Sequence, residues 1–86
     1  MNIEILTHLK IQLQERELKE EIIREVLSTP DQTVEGKSGR KVAQKKYLEG
    51  GKEYLIRVVF REGSNSRVGI TAYKTSKVAK YWRVKE

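Results

Sequence analysis

The side chains that could carry out chemistry in this chain of 86 residues are arginines, lysines and tyrosines, together with one histidine, His8. Because the sequence contains no cysteine, disulfides and zinc–thiolate sites are excluded, and one histidine is too few for a histidine-based metal site. The serines fall in predicted turns or at helix ends, so no acyl-transfer triad is expected. Cations with a proton-transfer group suit the cleavage of RNA, in which the substrate's own 2′-hydroxyl attacks the phosphorus. This chemistry requires neither a metal nor a cofactor, and we expect none.

Two other motifs are weaker indications of a catalytic or phosphate-binding site. Glu20 and Glu21 form an acidic pair that is typical of a solvated first helical turn and not of a glycosidase. The stretch GKSGRK (36–41) resembles part of a phosphate-binding loop, but the full GxxxxGK[ST] pattern is absent and the stretch lies between predicted strands. Neither motif therefore changes the expectation of phosphodiester chemistry.

The net charge of +6 is distributed unevenly. Residues 1–31 carry four basic and seven acidic side chains, a net −3, whereas residues 32–86 carry fourteen basic and five acidic, a net +9. A basic segment of this kind favours a polyanionic partner such as RNA, through phosphate contacts and counterion release. A lysine-rich surface kept for solubility is the alternative. There is no apolar run of 18 residues and no signal peptide, so we expect a cytoplasmic protein with no membrane association.

The length predicts a single domain, residues 1–86, and the apolar spacing predicts two N-terminal helices after an extended entry. Thr7 is expected to cap the first helix, over about residues 8–16. An apolar stripe from Leu18 to Leu27 indicates the second helix, which ends before Pro30.

After Pro30 the apolar period changes from helical to two, which predicts strands. They are expected at residues 32–35, 40–48, 53–61 and 67–73. Short turns separate them, so successive hairpins should form a four-stranded antiparallel meander. Both helices are expected on one face, because the stripe of the second helix needs a partner. The fold class is therefore α+β, with a short C-terminal helix.

Side-chain alternation predicts which residues share each face of this sheet. The helix-covered face should carry Tyr54, Ile56, Val58 and Phe60, with Val68, Ile70 and Ala72. The other face should carry Arg57 and Arg61, with Gly69, Thr71 and Tyr73. Strand 40–48 buries a polar side chain in either orientation, so we expect a bulge or an edge position there.

Two further groups of residues have both a structural and a functional interpretation. His8, Gln12 and Arg16 are spaced by four and form one ridge on the first helix. They are either functional, or a helix-start histidine bonded to backbone beside an arginine whose stem covers apolar surface.

The second group is YKTSKVAKYW (73–82), in which Tyr73 and Thr75 finish a strand and Ser76 caps a short helix. Its apolar side chains are expected on one face as a clasp: Val78, Tyr81 and Trp82. Its cations form a basic rim that could contact RNA: Lys77, Lys80 and Arg83.

Four blocks of the sequence resemble, in order, the family labelled domain of unknown function 4258. The blocks are HLKIQLQERELKEEIIREVLSTPD (8–31), GRKVAQKK (39–46), YLIRVVF (54–60) and GITAYKTSKVAKYW (69–82). The layout is also similar to BrnT toxins and, through them, to RelE-like ribonuclease toxins, which implies a cognate antitoxin. By position, the family's functional residues correspond to His8, Arg16, Arg57, Thr71, Tyr73 and Thr75. The chain departs from the pattern at Gln12, Glu17 and Lys19, where the family has arginine, glycine and a serine or threonine cap.

The resemblance implies a small endoribonuclease, the toxin of a toxin–antitoxin pair. Arg57 would stabilise the phosphoryl charge, assisted by Lys46 or Lys77, and Tyr73 or His8 would move protons. Further RNA contacts are expected from Arg16, Arg40, Lys41, Lys45, Arg61, Lys74 and Lys80. The alternatives are an RNA-binding module without chemistry, and a degenerate relative that serves only as a protein-interaction domain.

Overall fold

The computed structural model describes residues 1–84 of the chain. In chain order the elements are β1 (Asn2–Ile5), α1 (Thr7–Glu15), α2 (Glu20–Ser28), β2 (Gln32–Glu35), β3 (Lys41–Glu49), β4 (Lys52–Glu62), β5 (Ser66–Thr75) and α3 (Val78–Tyr81). The α+β class is confirmed. Within the described residues, no helix combines the length and the apolar character that a bilayer span requires.

The sheet has five strands in the order β1-β5-β4-β3-β2, so the prediction of a four-stranded sheet is wrong. The predicted antiparallel meander is present as β2 to β5, but β1 adds a parallel edge, with Asn2 beside Ser66 and Ile5 beside Gly69. A four-residue strand whose partner lies about 60 positions away has no turn to indicate its pairing. The extended entry is therefore readable from sequence, but its place in the sheet is not.

Two tight turns set the register of the central hairpins. In the β2–β3 turn, Arg40 donates to the Lys37 carbonyl and both central residues have positive φ, Ser38 at 57° and Gly39 at 74°. The β3–β4 turn has Gly50 and Gly51 at 57° and 79°. Two adjacent residues with positive φ match the twist of a hairpin, and glycine adopts this conformation without steric cost.

The two N-terminal helices are separated by a left-handed residue, Glu17, at φ 55°. The Leu18 amide donates to the Leu13 carbonyl at 2.9 Å, and the Glu17 amide donates to Gln14 at 3.3 Å. These bonds form the Schellman motif that ends many helices, usually with glycine at the left-handed position. Backbone hydrogen bonds thus terminate α1 although the sequence offers neither glycine nor proline. The predicted Thr7 cap is wrong, because the N-cap is Leu6 and makes no side-chain bond.

The core lies between the helices and one face of the sheet. Its helical side chains are Leu9, Leu13, Ile23, Val26 and Leu27, and its sheet side chains include Ala43, Ile56, Val58, Phe60 and Ala72. The predicted core face of β4 is therefore confirmed at three positions. α2 lies over β3 and β4, whereas α1 lies along β5, where Arg16 donates to the Ala72 carbonyl beyond the end of β1.

Because of a bulge at Ile70, the predicted faces of β5 are wrong for the residues before it. Thr71 pairs with Val59 and Gly69 pairs with Phe60, so Ile70 has no partner on β4. Gly69 consequently faces the helices, where a Cβ would lie 3.0 Å from a methyl group of Leu9. Residues 71 and 73 keep the predicted orientation away from the helices, since the extra residue reverses the parity only towards the start of the strand.

Candidate functional site

A row of four polar side chains crosses the sheet on the face opposite the helices, here called the open face. Gln32, Gln44, Arg57 and Tyr73 occupy directly opposed positions on β2, β3, β4 and β5. Opposed residues of antiparallel strands project to the same side. The sequence-predicted pair Arg57 and Tyr73 is therefore brought together, and two glutamines extend the row.

Arg57 is held from several directions. Its Nε–H donates to Gln44 Oε1 at 2.9 Å, and its Nη1 donates to the hydroxyl of Tyr73. The guanidinium carbon lies 4.1 Å from the ring centroid of Tyr81 and 5.7 Å from that of Tyr73. Contacts of this kind attract a cation to an aromatic face. The guanidinium is thus orientated before any ligand arrives, while the residue is only half-buried.

Gln44 is the buried polar residue of β3, with no exposed surface. Its Oε1 accepts from Arg57, and its amide nitrogen donates to Gln32 Oε1 at 2.8 Å and to the Tyr81 carbonyl at 3.1 Å. The predicted bulge or edge position is wrong at Gln44, because β3 pairs with β4 without a bulge and Gln44 also pairs with Gln32 of β2; only residues 45–49 lack a β2 partner. Hydrogen bonds satisfy the buried amide instead.

The C-terminal segment (residues 76–83) crosses the open face and covers part of the row. Gln32 donates to the Arg83 carbonyl and accepts from the Arg83 amide at 3.0 Å, and Lys46 Nζ lies 3.9 Å from the centroid of the Trp82 ring. β5 ends at Thr75 as predicted, but Ser76 does not cap α3; the N-cap is Lys77, whose amide donates to Thr75 Oγ1. Hydrogen bonds and cation–aromatic contacts with β2, β3 and β4 therefore hold the segment against the sheet.

Tyr81 is a site residue that the sequence interpretation assigned to an apolar clasp. Its ring meets that of Tyr73 edge to face, with centroids 6.2 Å apart. The Tyr73 hydroxyl, followed by the charges of Lys80 and Arg57, lowers the pKa of Tyr81 below its usual value. The sequence signal that could have identified Tyr81 as a site residue was its residue type, because a half-buried tyrosine hydroxyl usually has a polar partner.

A pocket of about 390 Å³ adjoins Arg57 on the side away from the C-terminal segment. Its lining residues come from the end of β2, the β2–β3 turn and the three central strands: Glu35, Gly36, Lys37, Ser38, Arg40, Val42, Arg57, Val59 and Thr71. The Thr71 hydroxyl donates to Gln12 Oε1 at 2.7 Å, and Gln12 Nε2 lies 3.2 Å from His8 Nε2. His8 is thus linked to the pocket wall through Gln12 and makes no hydrogen bond to Tyr73 among those of the described residues.

Several predicted cations lie on or beside the open face. Arg40 lines the pocket, Arg61 is exposed opposite Val68 on the same face, and Lys46 contacts Trp82. Lys77 and Lys80 are exposed on the C-terminal segment, with Lys80 Nζ 5.2 Å from the Tyr81 ring. Arg16 lies at the β5 edge through its bond to Ala72.

Three other predicted RNA contacts face the helix-covered side, so they do not join this site. Lys45 donates to the carbonyl and hydroxyl of Thr29 at 2.7 and 3.2 Å, at the end of α2. Lys74 forms an ion pair with Glu49 at 2.9 Å. Lys41 pairs with Glu62 at 2.6 Å, and this hydrogen bond raises the pKa of the lysine and lowers that of the carboxyl group.

Across residues 1–84, no group of three or more His, Cys, Asp or Glu side chains is arranged to hold a metal ion. Comparisons of the chain with protein-family profiles, curated proteins and solved structures gave no match.

Proposed function

We propose that the protein is a small endoribonuclease that cleaves RNA without a metal ion, and that it acts in the cytoplasm as the toxin of a toxin–antitoxin pair. The observation that carries this proposal is the orientation of Arg57, which Gln44 and Tyr73 bind on an open sheet face next to a pocket with two further cations, Lys37 and Arg40. A preorganised guanidinium is suited to the charge that develops on a phosphoryl group in the transition state.

The reaction follows from the groups around that guanidinium. The 2′-hydroxyl of the substrate attacks the adjacent phosphorus, the bond to the 5′-oxygen of the next nucleotide breaks, and a 2′,3′-cyclic phosphate and a 5′-hydroxyl result. Arg57 binds the phosphoryl oxygens. Tyr81, whose pKa is lowered, accepts the proton from the 2′-hydroxyl, and Tyr73 donates one to the departing 5′-oxygen. His8 takes no direct part in this assignment, because its bonding leads to Thr71 through Gln12.

The surrounding charge supports RNA as the ligand. Arg40, Arg61 and Lys46 flank Arg57 on the open face, and Lys77 and Lys80 extend the positive charge along the C-terminal segment. Phosphate contacts of this kind make binding strongly dependent on salt. The meander with two helices on one face is also compatible with the RelE/BrnT-like architecture that the sequence resemblance implies, and an antitoxin would act by covering the open face.

The test is induced expression of the wild type, Arg57→Ala and Lys74→Ala, followed by growth measurement and mapping of RNA ends. Lys74 is the matched control, because it neighbours Tyr73 on β5 but faces the other side and pairs with Glu49. We expect growth arrest and new 5′-hydroxyl ends with the wild type and Lys74→Ala, and neither with Arg57→Ala. A small acidic or DNA-binding reading frame beside the gene would supply the expected antitoxin.

Unchanged growth and intact RNA with the wild type would refute the ribonuclease. In that case, salt-dependent RNA binding that Arg57→Ala weakens would identify an RNA-binding module without chemistry. RNA binding no tighter than that of any basic protein would instead favour a protein-interaction domain.

A further inference from the structure

The pocket beside Arg57 combines an apolar floor with a polar rim. Val42 and Val59 are directly opposed on β3 and β4 and form the floor, and Val42 is only 7% exposed. The polar residues that line the pocket are the cations Lys37, Arg40 and Arg57, with Thr71, Ser38 and one carboxylate residue, Glu35. Few ligands require an apolar surface and several cations within one small cavity, and a nucleotide is one of them.

The size of the cavity limits its occupant to a single unit. Its volume of about 390 Å³ lies near the lower end of the roughly 300–1,000 Å³ typical of small-molecule pockets. This space accommodates one nucleoside and not a stretch of stacked bases or a duplex. A base can enter such a site only when it is unstacked, as in a single strand.

We propose that this pocket binds the base and ribose of one nucleotide of single-stranded RNA, directly adjacent to the phosphate that Arg57 holds. The inference rests on the proposed function for the identity of the ligand as RNA. The face of the base lies against Val42 and Val59, where burial of apolar surface is favourable. Arg40 is placed at the rim to contact the next phosphate of the strand.

Thr71 gives the pocket a means of discriminating between bases. Its hydroxyl hydrogen is directed to Gln12 Oε1 at 2.7 Å, which leaves the oxygen as an acceptor. A base that presents an amino or imino hydrogen to this oxygen gains one hydrogen bond over a base that presents an acceptor. One hydrogen bond corresponds to about a 2- to 12-fold difference in affinity.

The first experiment is a titration of the methyl-labelled full chain, observed by NMR, with each of the four ribonucleoside 3′-monophosphates. Inorganic phosphate and ribose 5-phosphate serve as reference ligands, and the buried Val26 methyls serve as the internal control. We expect all four nucleotides to shift the Val42 and Val59 methyl signals, with affinities that differ within the stated range. The two reference ligands should leave these signals unchanged, and Thr71→Val should reduce the differences between bases.

The outcomes separate this inference from the proposed function. Valine shifts without RNA cleavage would uphold the pocket and refute the catalysis. Arg57-dependent cleavage with no valine shift, and with the same cleavage sites in Val59→Phe as in the wild type, would refute the pocket and uphold the catalysis. Valine shifts with inorganic phosphate that equal those with nucleotides would also refute the nucleotide pocket, because the site would then bind an anion alone.

Discussion

Replacing Gln44 with leucine tests whether the buried amide organises the open face. The substitution removes the hydrogen bonds of the side chain to Gln32 and the Tyr81 carbonyl, each contributing about 0.5–1.5 kcal/mol, and one to charged Arg57, contributing about 1.5–3 kcal/mol. Burying leucine in place of the amide recovers roughly 1–2 kcal/mol. We therefore expect the free energy of unfolding to fall by about 0.5–5 kcal/mol, centred near 3 kcal/mol, against a total of roughly 4–13 kcal/mol for a chain of this length.

The assay is urea unfolding followed by circular dichroism, in which a loss of about 3 kcal/mol lowers the midpoint by about 1–3 M. Gln14→Leu is the matched control, because Gln14 is exposed on α1 and the same substitution there should change the stability by less than about 0.5 kcal/mol. The Arg57 Nε–H signal should also exchange faster with solvent in Gln44→Leu. A Gln44→Leu protein as stable as the control would refute the reasoning, since the network would then contribute nothing.

Three further changes test other parts of the fold. Glu17→Gly should raise the free energy of unfolding by about 1 kcal/mol, because glycine adopts the left-handed conformation without the side-chain penalty; a lower melting temperature would contradict this. Burial, followed by the hydrogen bond to Glu25, raises the pKa of Tyr47 well above its usual value of about 10, so the wild type should lose at most about 1.4 kcal/mol per pH unit through this group as the pH rises above 10. Tyr47→Phe should remove this part of the loss, and urea midpoints between pH 7 and about 11 that fall equally in both proteins would contradict it. Gly69→Ala should destabilise by about 1–3 kcal/mol, since its Cβ would lie 3.0 Å from a Leu9 methyl; an unchanged urea midpoint would show that the core can yield.

The elements of the meander could be predicted from sequence because their signals are local. Strand β2 lies at residues 32–35 as predicted, and the glycine-containing turns at residues 36–39 and 49–52 fall where the strands reverse. β1 and the bulge at Ile70 could not be predicted in the same way. The pairing of β1 depends on a partner far along the chain, and the bulge turns Gly69 towards Leu9, a residue of α1 that is about 60 positions away in sequence.

The candidate site also has one part that local sequence signals predict and another that depends on long-range contacts. Arg57 and Tyr73 lie on neighbouring strands of one hairpin, so side-chain alternation was sufficient to bring them together. Gln44 and Tyr81 meet only because the C-terminal segment folds back over the sheet. Alternation along β3 showed that a polar residue must be buried, but its hydrogen-bond partners depend on the tertiary structure. The same limit explains Lys45, whose charge was evident from sequence and whose side of the sheet was not. The side of Lys74 follows from alternation next to Tyr73, so its predicted RNA contact disagreed with the predicted faces.

The C-terminal segment also determines from which side a ligand can approach Arg57. Tyr81 and Trp82 lie against Arg57 and Lys46, so this part of the open face is already in contact with protein. The other side of Arg57 opens into the pocket and, along β4, towards Arg61. A strand of RNA that reaches Arg57 while the segment stays in place must therefore come from the side of the β2–β3 turn. Under the proposed function, the cations on that side contribute more to binding than Lys77 and Lys80. In that reaction, the C-terminal segment contributes Tyr81, which both orientates the guanidinium and accepts the proton of the 2′-hydroxyl.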